Sequence, residues 1–260
     1  MEITGLRNPL LQKVRKAAAA GRPTEDGLVV AEGPHLLEEA LRGCWRIVQI
    51  ITTPAGRNKY ADLLQHADAE IVEANARAFE SIAGTEHSQQ VLALLEPRVW
   101  NWNDLIGRRT FVLVLDGIQD PGNAGTIVRS AEAFGATGLV FLKGSAHVSN
   151  GKLLRASAGS IFRLPFLEAV SVSDFLSNIQ SGLTLYVLDM HAQTTINDAD
   201  LTRPLALAVG SEGSGVCPEL LARAEAISIP TAHVESVNAA VACSVALFAA
   251  QQQRSTHEPV

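Results

Sequence analysis

The chain has 260 residues, 47% hydrophobic and 18% charged, with a formal net charge of −6. That length allows one large domain or two small ones, and the composition is ordinary for a soluble globular protein. No run reaches the roughly 20 apolar residues of a membrane span, and MEITGLRNPLLQKVRK lacks the apolar centre of a signal peptide. Cys44, Cys217 and Cys243 stand far apart and the seven histidines are scattered, with no CxxC and no HExxH. Neither a disulfide framework nor a metal site is expected, and a reducing cytoplasmic location fits.

From the N-terminus the chain alternates helix and strand. In NPLLQKVRKAAAA, Asn8 suits an N-cap and Pro9 the first helical position. GLVVAE at 27–32 reads as a strand, and PHLLEEALRG at 34–43 opens on Pro and closes on Gly as a helix does. RIVQIIT, EIVE and QVLALLE read as strands, NKYADLLQHA and NARAFESIAG as helices. This is a small α/β module over residues 1–97. PRVWNWNDLIGRR lacks periodicity, so residues 98–109 are read as a linker.

Alternation resumes over 110–260. Strands are expected at 111–116, 138–142, 164–167, 183–189, 205–209 and 226–229, and helices at 124–134, 151–156, 173–180, 218–223 and 238–252. FVLVLD and LALAVG are apolar throughout, the pattern of strands covered on both faces of a parallel sheet. The overall expectation is an α/β fold in two domains. The negative total charge argues against nucleic acid, but two zones run the other way. Residues 1–22 carry Arg7, Lys13, Arg15, Lys16 and Arg22 against Glu2, and residues 143–163 carry Lys143, Lys152, Arg155 and Arg163 without an acid. These are either local RNA-binding surfaces or two solvated faces.

Three segments carry the chemistry. DGIQDPGNAGTIVRSAEAFGA, 116–136, places Asn123, Gly125 and Arg129 between two apolar runs. Its glycines lack GxGxxG spacing, and Lys143 stands where a dinucleotide fold needs an acid, so an oxidoreductase is disfavoured. No GK[ST] and no GxSxG is present. LALAVGSEGSGV, 205–216, runs a buried strand into Gly210, Glu212 and Gly213. AISIPTAHVESVNAAVACSVALFAA, 226–250, carries Ile229 and Pro230, a loop, then Ser236, Val237 and Asn238 before a helix of small and apolar residues.

Together these segments resemble the SpoU (TrmH) family of AdoMet-dependent RNA 2'-O-ribose methyltransferases. RASAGSIFRLPF at 155–166, VAEGPHLLEEAL and QVLALLE are also family-like, so the resemblance covers nearly the whole chain. Thr231 stands where many relatives have Met, and Val237 where Leu is usual. The resemblance implies a SPOUT-type catalytic domain at 110–260 whose parallel sheet ends in a deep trefoil knot, and an N-terminal ribosomal-protein-like RNA-binding domain at 1–97. It implies S-adenosyl-L-methionine held by Val209, Gly210, Gly213, Ile229, Pro230 and Val237. Arg129, Asn123, Glu212, Asn238 and Ser236 become the catalytic set. For Arg129 the roles open are phosphate clamp with oxyanion stabiliser, or base. For Glu212 they are catalytic support or acceptor of backbone N–H groups, and for Ser236 a helix cap or a chemical group.

The N-terminal module resembles the RNA-binding domain of rRNA-directed members of that family, and the resemblance implies large-subunit ribosomal RNA as substrate. A transfer-RNA methyltransferase and a non-catalytic RNA-binding assembly factor are the alternatives. The resemblance also implies a homodimer, with the helix at 239–250 and its Val241, Val245, Leu247 and Phe248 as interface. No membrane and no metal partner is expected.

Overall fold

The computed structural model describes residues 2–43, 45–85, 87–107, 109–179 and 182–256; Cys44 lies outside them. The chain divides into two compact units. One comprises Met1–Val99 with His147–Arg163, the other Trp100–Ala146 with Leu164–Val260.

The first unit begins with β1 (Glu2–Ile3) and α1 (Pro9–Ala20). Asn8 caps α1 by accepting from the Leu10 amide at 2.9 Å, and the helix buries Leu11, Val14 and Ala17. Then come β2 (Val29–Glu32), α2 (Pro34–Arg42), β3 (Arg46–Thr52), α3 (Pro54–Lys59), α4 (Ala61–Leu64), β4 (Glu70–Ala74), α5 (Ala76–Glu80) and β5 (Val91–Glu96). The segment read as one helix, NKYADLLQHA, is thus two short ones meeting at Tyr60. The sheet runs β1-β4-β3-β5-β2, with β5 antiparallel to both neighbours. Its core joins Leu11 and Val14 to Ile51, Phe79, Leu92 and Leu94.

The second unit opens inside the expected linker. α6 (Trp102–Leu105) forms there because Asn101 and Asp104 build a reciprocal capping box. β6 (Phe111–Asp116), α7 (Pro121–Ala133) and β7 (Gly138–Leu142) follow. α7 begins three residues before the expected start at 124. Its cap is Asp120, which accepts from the Asn123 amide at 2.8 Å, and Pro121 takes the first helical position.

The next segment returns to the first unit. α8 (Gly151–Ser157) and a 3-10 turn (Ser160–Phe162) bury Leu153, Leu154, Ile161 and Phe162 there. Phe162 packs edge-on against Trp45 at 4.9 Å, and Arg163 pairs at 2.5 Å with Glu39, which is 8% exposed. Chain continuity alone had placed all of 110–260 together. The apolar side chains of 153–162 instead find their partners around α2. The first basic zone is also partly engaged within the fold: Lys13 pairs with Asp26 at 2.8 Å, Lys16 with Glu25 at 2.6 Å, and Arg15 donates to Ser81.

The second unit resumes with β8 (Phe166–Val170), α9 (Val172–Asn178), β9 (Thr184–Leu188), β10 (Leu205–Gly210), α10 (Pro218–Leu221), β11 (Glu225–Ile227) and α11 (Ala239–Thr256). Its sheet runs β11-β9-β10-β6-β7-β8, parallel at every pairing. β10 is buried along its whole length and β6 up to Asp116, as strands covered on both faces must be. Because all strands run one way, the segments after β6, β10 and β11 leave from the same edge. The chain leaving β6 goes toward β7, and the chain leaving β10 goes toward β11 on the other side. Such a switch point at the carboxyl edge is where open α/β sheets form ligand crevices.

Candidate active site

Three segments at that edge bring the motif residues together. Asn123 is the third residue of α7, so it belongs to a helix and not to the loop the glycines suggested. Its Nδ2 donates to Glu212 Oε1 at 3.2 Å. Asn238 donates from its own Nδ2 to the same carboxylate oxygen, and reaches Asn123 Oδ1 at 3.3 Å. Glu212 therefore takes two side-chain amides, where backbone N–H groups were one expectation. A carboxylate held by two amides fixes both their orientations, and charge-assisted bonds of this kind are stronger than neutral ones.

Asn238 also starts α11. Its Oδ1 accepts from the Ala240 amide at 3.0 Å and the Val241 amide at 3.3 Å, and its carbonyl receives Ala242. The expected cap, Ser236, is exposed two residues earlier and makes no hydrogen bond among the described residues. Asn238 does the capping because its short amide reaches the free N–H groups of the first turn while Nδ2 still turns toward Glu212.

Gly210 ends β10 opposite Asp116. A Cβ at Gly210 would fall on the Gly215 carbonyl and the Val216 amide. The loop folds back there, with Ser211 bridged to Gly215 and the Gly215 amide donating to Ser211 O at 2.9 Å. Glycine is thus required by the chain's own backbone, whereas the sequence suggested close approach of a ligand. The loop's far end is fastened by the Cys217 amide, which donates to Asp116 Oδ2 at 2.7 Å. Burial, with Asp116 nearby, pushes the Cys217 thiol above its usual pKa, so it stays protonated.

Ile229 and Val237 are half-buried, Val209 is buried, and Gly213 and Pro230 are exposed. Among the described residues the backbone groups of Ile229 and Val237 make no hydrogen bond within the chain. Apolar side chains beside unpaired backbone donors and acceptors suit a flat heteroaromatic ring with a hydrogen-bonding edge, such as adenine. A Cβ at Gly213 would meet nothing within 4 Å, so the loop is open at that point.

Arg129 lies six residues beyond Asn123 on α7, about 9 Å along the axis. It is exposed and has no hydrogen-bond or ion-pair partner among the described residues. A planar fork with five donors and no carboxylate to hold is suited to phosphate. α7 is held against α11 by a 2.7 Å hydrogen bond between Ser130 and Ser244 and by Phe134 packed edge-on to Phe248 at 5.7 Å. Arg129 thus sits on a helix fixed to the one that Asn238 caps. Sequence reasoning missed Asp116 and Asp120, which fasten the two glycine-rich segments. For Asp120 a signal was present, since Asp followed by Pro is a cap followed by a first helical residue.

Residues 110–248 match the family model described as the SpoU rRNA Methylase family, and residues 8–93 match the MRM3-like substrate binding domain. The 23S rRNA (guanosine(2553)-2'-O)-methyltransferase RlmP of Bacillus subtilis is 27% identical, over 95% of this chain and 98% of its own. The 23S rRNA (guanosine-2'-O-)-methyltransferase RlmB of Xanthomonas campestris is 33% identical, over 71% of this chain and 78% of its own. Among solved structures, an AdoMet-bound rRNA methyltransferase from Sinorhizobium meliloti superposes with a TM-score of 0.85 at 27% identity, covering 97% of each chain.

Proposed function

Since the chain belongs to the SpoU rRNA methylase family, we propose that it transfers a methyl group from S-adenosyl-L-methionine to a ribose 2'-hydroxyl of large-subunit ribosomal RNA. The observation that carries this reading is the meeting of Asn123, Glu212 and Asn238 at the carboxyl edge, with Arg129 exposed on the same helix as Asn123. The rRNA 2'-O-methyltransferases among its relatives and the substrate-binding match over residues 8–93 favour ribosomal over transfer RNA.

The cofactor supplies a methyl group made electrophilic by its sulfonium charge. Val209, Gly213, Ile229, Pro230 and Val237 would hold it, with Gly210 acting indirectly by letting the 211–216 loop fold. What the chain must add is alignment, which can supply roughly 7–11 kcal/mol of the barrier, and stabilisation of the 2'-oxygen as it gives up its proton. Arg129 is assigned as a phosphate clamp that also stabilises that oxyanion. A guanidinium never deprotonates in practice, so the electrostatic role is the better fit. Asn123 and Asn238, braced by Glu212, position the ribose.

The homodimer and the trefoil knot are part of the same proposal. On α11, Val241, Val245 and Phe248 are 51%, 42% and 50% exposed and lie at one-turn intervals, which makes an apolar stripe for a two-fold partner. Leu247, expected on that interface, is fully buried within its own unit. Among the described residues no helix is long and apolar enough to cross a membrane.

Incubation with methyl-labelled AdoMet and either a 23S rRNA transcript or bulk transfer RNA tests the substrate. Label on the ribosomal RNA alone is expected; label on transfer RNA alone contradicts the reading.

A further inference from the structure

The first unit holds a cleft of about 310 Å³ lined by Glu32, Gly33, His35, Leu36, Thr85, His87, Gln89 and Arg155. All its lining residues belong to the first unit, whereas Asn123, Arg129, Glu212 and Asn238 belong to the second. Its wall is built, not incidental. Glu32, at the end of β2, accepts from the Gly84 amide through Oε2 and from the Thr85 hydroxyl through Oε1, each at 2.7 Å. These bonds fasten the segment carrying His87 and Gln89 beside the start of α2. Gly33 turns the chain into α2 at a φ of +105°, a conformation only glycine adopts without strain. Arg155 reaches the same cleft from α8, in the segment that packs with this unit.

The chemistry of the lining is specific. Leu36 is 3% exposed and forms an apolar floor. The side chains of His35, His87, Gln89 and Arg155 are exposed and make no hydrogen bond among the described residues. Two flat imidazoles offer stacking faces, the guanidinium offers a fork for phosphate, and the Glu32 carboxylate keeps lone pairs for the N–H groups of a base edge. The volume suits one small ligand, not a duplex.

We propose that this cleft binds one unstacked nucleotide of single-stranded RNA, its base against His35, His87 and Leu36 and its phosphodiester on Arg155. Sequence-reading RNA sites work this way, by splaying a base out and stacking it on flat side chains. The inference rests on RNA being the substrate, and it assigns the first unit a defined contact in place of diffuse basic charge.

The test uses the full chain, a short labelled single-stranded RNA of mixed sequence, and the matching duplex. Wild type is compared with Arg155→Gln and with His35→Ala/His87→Ala, and AdoMet affinity is measured in parallel by calorimetry. Each variant is expected to weaken single-strand binding roughly tenfold with AdoMet affinity unchanged. Arg155→Gln should also lower the slope of log K against log salt by about 0.7, one single-strand phosphate contact. Wild-type affinity and slope in both variants, with methyl transfer intact, would overturn the cleft while leaving the enzyme reading standing. Equal loss on single strand and duplex would overturn it in favour of backbone binding without a splayed base. A wild type that binds neither RNA overturns the cleft, and methyl transfer to ribosomal RNA by the same preparation decides the enzyme reading separately.

Discussion

Asn123 and Glu212, 89 residues apart in the chain, meet through a 3.2 Å hydrogen bond from amide Nδ2 to carboxylate Oε1. Asn238 donates to the same oxygen. One carboxylate therefore sets the orientation of two amides, one within α7 and one at the cap of α11. If the amides position the ribose, the three act as a unit. Asn123→Ala and Glu212→Ala should then be non-additive in kcat/KM, with a coupling of roughly 0.5–3 kcal/mol in the double variant. Additive losses in a methyl-transfer assay would separate the two residues.

Arg129→Ala should leave AdoMet affinity unchanged, because Arg129 belongs to neither segment proposed to hold the cofactor. Turnover should fall roughly 10²–10³-fold, the usual cost of losing a group that stabilises a developing oxyanion. Calorimetry and single-turnover kinetics on one preparation separate the two effects. Normal turnover would remove Arg129 from the site.

Gly210→Ala should fail for a reason internal to the chain. Its methyl would overlap the Gly215 carbonyl and the Val216 amide, so the 211–216 loop must move. The cost is about 1–3 kcal/mol of stability, seen as a lower Tm, together with loss of AdoMet binding. A substitution that abolished binding at an unchanged Tm would instead favour direct contact with the cofactor.

Much of this was legible in the sequence. RIVQIIT and FVLVLD have the bounds of β3 and β6, because β-branched and other apolar residues dominate both runs. Other boundaries were masked by competing signals. Gly122 and Gly125 made the start of α7 look like loop, although Asp120 and Pro121 already encode a cap. Ser236 and Asn238 both suit a cap, and only the fold shows that Asn238 reaches the free amides. The packing of 147–163 with the first unit could not be read, since periodicity says which face is apolar but not what covers it. The meeting of Asn123, Glu212 and Asn238 follows from β10 lying between β6 and β9, an order no local pattern carries.

His147 gives a pH prediction. Burial, then the nearby charge of Arg22, lowers its pKa from 6.5 to about 4, and its Nδ1 lies against the Ser149 hydroxyl. Between those values the unfolded chain binds more protons than the folded one, so stability falls as pH drops. The contribution is intact above about pH 6.5 and is lost as pH falls toward 4. His147→Gln should flatten the decline of Tm between pH 7 and pH 4.5; a decline of unchanged size would assign it to other groups.

Val245→Asp tests the dimer. Val245 is 42% exposed on α11, so the change spares the core but buries an unpaired carboxylate at a two-fold interface, at a cost of several kcal/mol. Light scattering should find wild-type dimers and variant monomers. A monomeric wild type at micromolar concentration would end the dimer proposal.

The central claim is that a ribose oxygen receives the methyl group. Unmodified large-subunit rRNA is incubated with the protein and AdoMet, digested to nucleosides, and analysed by mass spectrometry. A single 2'-O-methylated nucleoside, absent when Arg129→Ala replaces the wild type, is the predicted result. Methyl groups on a base, or none on RNA that the protein demonstrably binds, would contradict it.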